Sequence, residues 1–431
     1  MKRSCIAIVI CAAAWVGTAG AAEFLYGVEV GAGTSDNIRR VPSGEESESM
    51  LVTGLELALE REEGRLHANV DVDLSYIDYL DEAYDGEVTG MANADLRYLF
   101  VPGRFEWILT ESFGQGELDP FAASTPDNRE NINYLTTGPD FTIRLGSVGS
   151  LTLFGRYSAT QFEESNFDNE RLLSGLSLGR DLSARSNVSL NATTERVEFD
   201  DETAGSNYDR HSAFLRYEIE GARTTIGAEA GYSEIHDSGT SNGSPIFELD
   251  ITRDLSARSA LTLRGSLRSS DAASAMRAGN QIGGGSPSGP DQVSTTEPFD
   301  MTQVSLGWQF TTLRTTFTIS AGYEEDDYEI SEQLNRERQN FQASASRQVT
   351  PRLTLRARGS LFSSEYDTAG QDSDETQFGL QLSWNASGRF FVELDLDRFN
   401  RDSSNASTEY DETRAFLRLA WRNSGGASGA R

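Results

Sequence analysis

Cysteine, lysine and histidine are almost missing from this 431-residue chain. The two cysteines are Cys5 and Cys11, the one lysine is Lys2, and the three histidines are His67, His211 and His236. After residue 11 no disulfide can form, so what folds there is held by its own packing and hydrogen bonds. The same scarcity removes the usual metal and nucleophile patterns: there is no C-x-x-C, H-E-x-x-H, G-x-S-x-G or Walker loop. Basic residues are outnumbered 37 to 67 and the net charge is −30. Nucleic-acid binding needs a basic face and is excluded on that ground. Long apolar runs are absent too. The one candidate, Cys5–Val16, is too short for a membrane helix, which takes about 20 residues.

That short run has another meaning. Lys2 and Arg3 precede it and Ala19-Gly20-Ala21 follows it, the layout of a cleaved export signal over residues 1–21. The remaining 400 or so residues show no composition break, so 22–421 reads as one domain, with 422–431 as a flexible Gly/Ser-rich tail.

What the chain has in abundance is period-two alternation. Leu176 and Leu178, then Val188 and Leu190, alternate with Ser177, Gly179, Ser189 and Asn191. Between these arms stands Arg180-Asp181-Leu182-Ser183-Ala184-Arg185-Ser186. The same seven residues return as Arg253 to Ser259, and Arg347-Gln348-Val349-Thr350-Pro351-Arg352 echoes them. Alternation marks a strand with one dry and one wet face, and a short polar join makes an antiparallel hairpin.

About twenty such strands (18–22) can be drawn, from Phe24–Ser35 to Thr408–Trp421, each long enough to cross a bilayer at a tilt. Their connections alternate between tight turns, such as Glu63-Gly64 and Pro102-Gly103, and longer polar ones, such as Asp36–Ser49 and His236–Ser244. A sandwich has no reason for that alternation. A transmembrane antiparallel up-and-down β-barrel does, with short periplasmic turns and longer external loops. Twenty strands closed with their apolar residues inward would leave a bore too wide to fill, so the apolar face must point to lipid. Aromatics near strand ends (Tyr76 and Tyr79, Tyr98 and Phe100, Trp308 and Phe310, Tyr323 and Tyr328, Trp384, Trp421) read as interfacial girdles.

The opposite face then lines a lumen. Its expected acidic wall is Glu56, Asp71, Asp73, Glu393, Asp395 and Asp397. Its expected basic wall is Arg264, Arg268, Arg356 and Arg358, with Arg418 breaking the segregation. Opposed walls would orient dipolar, hydroxyl-rich solutes and screen ions by sign, unless they only solvate the bore. The connection Ser270–Pro298, with Gly283-Gly284-Gly285, reads either as a constriction folded into the bore or as a disordered external loop. No catalytic residue, metal site or cofactor is expected: His211 and His236 read as solvated or lumen-facing, and the clusters Asp200–Glu202 and Glu324–Asp327 as solvated charge.

The last strand, with Phe416, Leu417, Leu419 and a closing Trp421, resembles the terminal signal read by the barrel-assembly machinery. Taken with the R-x-[LV]-[ST] turns, the export signal and the alternating strands, the chain resembles the β-barrel porin 2 group encoded with exopolysaccharide-biosynthesis and protein-sorting loci of Gram-negative bacteria. The resemblance implies an outer-membrane location, contact with lipid and lipopolysaccharide, and passage or export of polysaccharide together with periplasmic export proteins. Its alternative is a non-conducting structural or assembly component of such a machine.

Overall fold

The computed structural model describes residues 23–201, 203, 205–237, 240–275, 293–368 and 370–423. The expected export signal, Gly283–Gly285 and residues 424–431 lie outside them. Twenty strands form one sheet: β1 (Glu23–Ser35), β2 (Glu48–Arg61), β3 (Leu66–Tyr79), β4 (Glu87–Val101), β5 (Phe105–Glu117), β6 (Arg129–Leu145), β7 (Gly149–Phe162), β8 (Asn169–Ser183), β9 (Ser186–Phe199) and β10 (Tyr208–Glu220). They continue as β11 (Thr224–Asp237), β12 (Thr240–Ser256), β13 (Ser259–Ser270), β14 (Phe299–Thr311), β15 (Thr315–Tyr328), β16 (Arg336–Thr350), β17 (Leu353–Tyr366), β18 (Ser373–Asn385), β19 (Phe390–Ser403) and β20 (Tyr410–Arg422). Each pairs antiparallel with its sequence neighbours, and β1 pairs with β20, so the sheet closes on itself. Closure satisfies every edge, which a sheet in hydrocarbon requires. None of the described helices is long and apolar enough to cross a membrane.

The register carries one face continuously round the barrel. Val28 opposes Leu55, Leu55 opposes Leu74, and on the far side Leu396 opposes Leu380 and Ala415. This is the outward face: Val30, Leu190, Leu215, Leu417 and Leu419 are each at least half exposed, as lipid-facing residues are when no lipid covers them. At the tight-turn end Tyr98, Phe100, Phe105 and Phe141 form successive ring contacts of 4.5–5.0 Å, and Tyr26 meets Trp421 at 5.6 Å. Two expected girdle members belong elsewhere. Tyr79 and Tyr328 sit an odd number of residues from Tyr76 and Tyr323, so they point inward and are buried.

The repeated seven-residue motif builds one device. Pairing shifts by a bulge between Asp181 and Ser183, between Asp254 and Ser256, and between Gln348 and Thr350. In each, the hydroxyl just inside the turn accepts from an arginine N–H two residues on: Ser183 from Arg185 (3.1 Å), Ser256 from Arg258 (3.2 Å) and Thr350 from Arg352 (3.3 Å). The Ser or Thr is needed for that bond, and the bulge supplies the local twist. Other turns on this side use a left-handed glycine instead, Gly64 (φ 88°) and Gly388 (φ 77°).

Connections on that side span two to four residues, and β1 begins and β20 ends there. Two expectations need correction. His236–Ser244 is not a long loop: β11 and β12 pair out to Asp237 opposite Thr240, giving a hairpin that runs on past the apolar band. Its polar residues hid the strand because neither face there is dry. Arg422 belongs to β20 rather than to a tail.

Candidate functional site: the bore and its mouth

Along the lower wall, charge is paired rather than segregated. Arg422 on β20 reaches across β1 to bind Glu56 on β2 bidentately (2.7 and 2.7 Å) and also meets Glu393 on β19 at 2.8 Å. It can cross because Gly27 stands opposite it on β1: a Cβ there would lie 3.0 Å from the arginine's Cγ. Arg418 repeats the arrangement over Gly31, within 3.7 Å of both Glu29 and Asp395. Arg358 binds Asp397 at 2.6 and 2.8 Å. On the far wall Arg264 faces Asp250 at 3.3 Å, Arg268 pairs with Glu248, and Arg216 meets Glu229 at 3.1 Å.

The expected lumen residues therefore do point inward, but not as an acidic wall facing a basic one. Antiparallel register places each arginine beside a carboxylate on an adjoining strand or the one beyond it, and that proximity outweighs any long-range separation of sign. Arg356 lies inward beside this network, and Asp71 and Asp73 are inward and exposed on β3. Glu29 and Arg422 were missed. Glu29 was legible from the Val28/Val30 alternation around it, whereas Arg422 was hidden by the Gly/Ser residues that follow.

Toward the loop end the inward positions change character. Ile38 of the β1–β2 connection packs on Met50, Val52, Tyr79 and Phe416. Ala273 packs on Ile132, Tyr134 and Phe162, and Ala275 on Phe299, Met301 and Tyr328. Both alanines belong to the described start of the β13–β14 connection, so this end of the long loop folds into the bore. Its other described end pairs Val293 with Glu117 of β5, nearly across the barrel, and Ser294 N–H donates to the Glu117 carbonyl at 2.8 Å.

Buried ion pairs fasten these pieces. Arg171 on β8 holds Asp271 bidentately (2.8 and 2.9 Å), with Arg210 at 3.7 Å. Burial pulls the Asp271 carboxyl up, but the two guanidinium groups outweigh it and hold it well below the usual carboxylate range. Arg40 binds the fully buried Glu412 at 2.9 Å and donates to the Ser124 carbonyl at 2.7 Å. Arg401 donates to the Ala122 carbonyl at 2.9 Å, and Phe121 meets the Tyr366 ring at 5.0 Å. The β5–β6 connection thus spans the mouth to β17 and β19.

Residues 299–423 match the family described as "Putative beta-barrel porin 2". That stretch is β14 to β20, the last seven strands of the closed sheet. No curated protein matches the sequence. Among solved structures the chain is similar to a variant of the ferric enterobactin receptor PfeA from Pseudomonas aeruginosa (10% identity, 92% of this chain, 80% of that one, TM-score 0.49). It is similar to the FrpB iron transporter from Neisseria meningitidis (9%, 92% and 81%, 0.44) and to OccK2 from Pseudomonas aeruginosa (13%, 94% and 98%, 0.38). Likeness at this level carries nothing about substrate.

Within this barrel the proposed assembly strand divides by face. Leu417, Leu419 and Trp421 point to lipid, whereas Phe416 points inward into the mouth cluster. Period-two geometry forces that split. His211 and His236 are also outward, with rings 5.4 Å apart, rather than lumen-facing. Among the described residues there is no cluster able to hold a metal ion.

Proposed function

We propose that this barrel passes hydrophilic saccharide chains through the outer membrane, with its outer mouth normally shut by the inward-folded connections. The observation behind the reading is the bore wall. Its lower part is lined by hydroxyls, amides and locally paired charges, water-exposed at Arg264–Asp250 and closely packed at Arg422–Glu393, a surface that does not strongly favour one ion sign. Hydroxyl-rich solutes exchange hydrogen bonds readily with such a wall and can leave it again. Polysaccharide as the cargo also follows from the family resemblance, with periplasmic export proteins as the source. Residues 1–21 would act as the cleaved export signal, Leu417, Leu419 and Trp421 would meet the assembly machinery, and the outward band would meet lipid and lipopolysaccharide.

Planar-bilayer conductance tests this. The wild-type barrel should show rare or small steps, and Asp271→Asn combined with Arg40→Gln should raise the open probability or step size. The occupied mouth also favours a second reading, a non-conducting component of a surface-export machine. Silence from both proteins, each shown by heat-modifiable gel mobility to be folded, would establish that reading and overturn the conduit.

A further inference from the structure

The inner wall at the tight-turn end differs on β2–β5 from the rest of the bore. A cavity of about 690 Å³ opens there, lined by His67, Asn69, Asp71, Asp95, Arg97 and Thr110. The register makes these six one patch. His67 opposes Arg97, Asn69 opposes Asp95, and Asp95 opposes Thr110, while Asp71 lies one pleat further along β3. Leu25 and Ile108 add an apolar margin. Elsewhere on the wall arginines consume the carboxylates. Here Asp95 is exposed and makes no ion pair among the described residues. Two arginines line the cavity: Arg97 shares the inward face, is itself half exposed and is only loosely matched by Glu106 at 3.9 Å, whereas Arg61 stands on the opposite face of β2.

We propose that this patch is a saccharide-binding subsite at the periplasmic entrance, selecting chains that present hydroxyl or ammonium donors and rejecting polyanions. The assignment rests on the conduit reading for its biological direction, though the binding itself does not. Carboxylate and amide acceptors stand beside hydroxyl and guanidinium donors at the spacing of neighbouring strands, roughly 5 Å. Adjacent hydroxyls on a sugar ring need both kinds of partner. Leu25 and Ile108 can take the ring's C–H face, as mixed pockets of a few hundred Å³ generally combine apolar cover with a few polar contacts. Asp71 and Asp95 outnumber Arg97, so a uronate chain would meet repulsion where an amino sugar meets attraction. The site also lies where an exported chain first enters, beside the β2–β3 turn.

Isothermal titration of the folded full-length barrel in detergent tests the assignment, with glucosamine hexamer, maltohexaose and hexagalacturonate as probes. The expected order is glucosamine hexamer, then maltohexaose, with hexagalacturonate unbound. The double variant Asp71→Asn with Asp95→Asn should weaken the glucosamine hexamer about tenfold or more, the range for losing charge-assisted hydrogen bonds. Asp411→Asn on the outward face of β20 should leave it unchanged. Equal binding of hexagalacturonate, binding unaffected by the double variant, or no binding of any oligomer would overturn the subsite. Conductance read beside it separates the two readings: a conducting barrel that binds nothing ends the subsite alone, and binding as described with silence from both the wild type and the Asp271→Asn, Arg40→Gln variant ends the conduit alone.

Discussion

The lower bore and the outer mouth are built from the same twenty strands, yet they solve opposite problems. On the β12–β13 wall of the lower bore the inward residues are polar and water reaches them. Arg264 and Asp250 keep more than two fifths of their side-chain surface exposed although they are paired. At the mouth Arg40 and Glu412 are almost wholly buried, with the Arg40 guanidinium over the Phe399 and Tyr410 rings. An ion pair in the first setting is worth little, because water competes for both partners. In the second the same chemistry becomes a fastening, since neither partner can be left behind without water to replace it.

Removing one partner at each level should expose the difference. Arg40→Ala leaves the buried Glu412 with only Arg414 and Ser35, and we expect a loss of about 3 kcal/mol in urea-unfolding stability with raised conductance. Phe416→Ala, which empties part of the mouth cluster and removes the ring beneath the Arg418 guanidinium, should cost roughly 3 kcal/mol in the same assay. A cost below 1 kcal/mol would mean that the mouth is not packed as a core.

Asp271→Asn should cost about 2 kcal/mol and loosen the β13–β14 connection, read as faster hydrogen exchange at residues 272–275. Acid should act differently from the mutation. The folded carboxyl is held below its unfolded value, so its stabilisation is complete above about pH 4 and fades only as pH falls through the lower folded value. A wild-type mouth that opens between pH 6 and 5 would contradict the Arg171 pairing. Arg264→Ala in the wet bore should change stability by no more than about 0.5 kcal/mol. A loss as large as that of Arg40→Ala would erase the distinction between the two regions.

The same division explains what could be read beforehand. Strand number, barrel closure, the two classes of connection and the lipid face follow from alternation, which is local. The shared turn of Arg180–Ser186 and Arg253–Ser259 was visible as a repeat, and its hydroxyl-to-backbone bond gives the repeat its cause. Pairing across strands was not visible, because whether Arg422 meets Glu56 depends on a register between residues 366 positions apart in sequence. The inward fold of the β13–β14 connection was equally hidden. Ala273 and Ala275 look like linker until Tyr134 and Met301 are known to face them.

The glycines of β1 bear on how the cylinder finds its proper fit when it shuts. On the inner face of the closing pair, Gly27, Glu29, Gly31 and Gly33 oppose Arg422, Ala420, Arg418 and Phe416. Every bulky group meets a notch, and the one bulky group on β1 meets alanine. Sliding the two strands by one step would flip the faces, and by two would bring Glu29 against an arginine stem while a notch stood empty beside Ala420. The last joint of the ring thus acts as a key in a ward, and only one alignment turns.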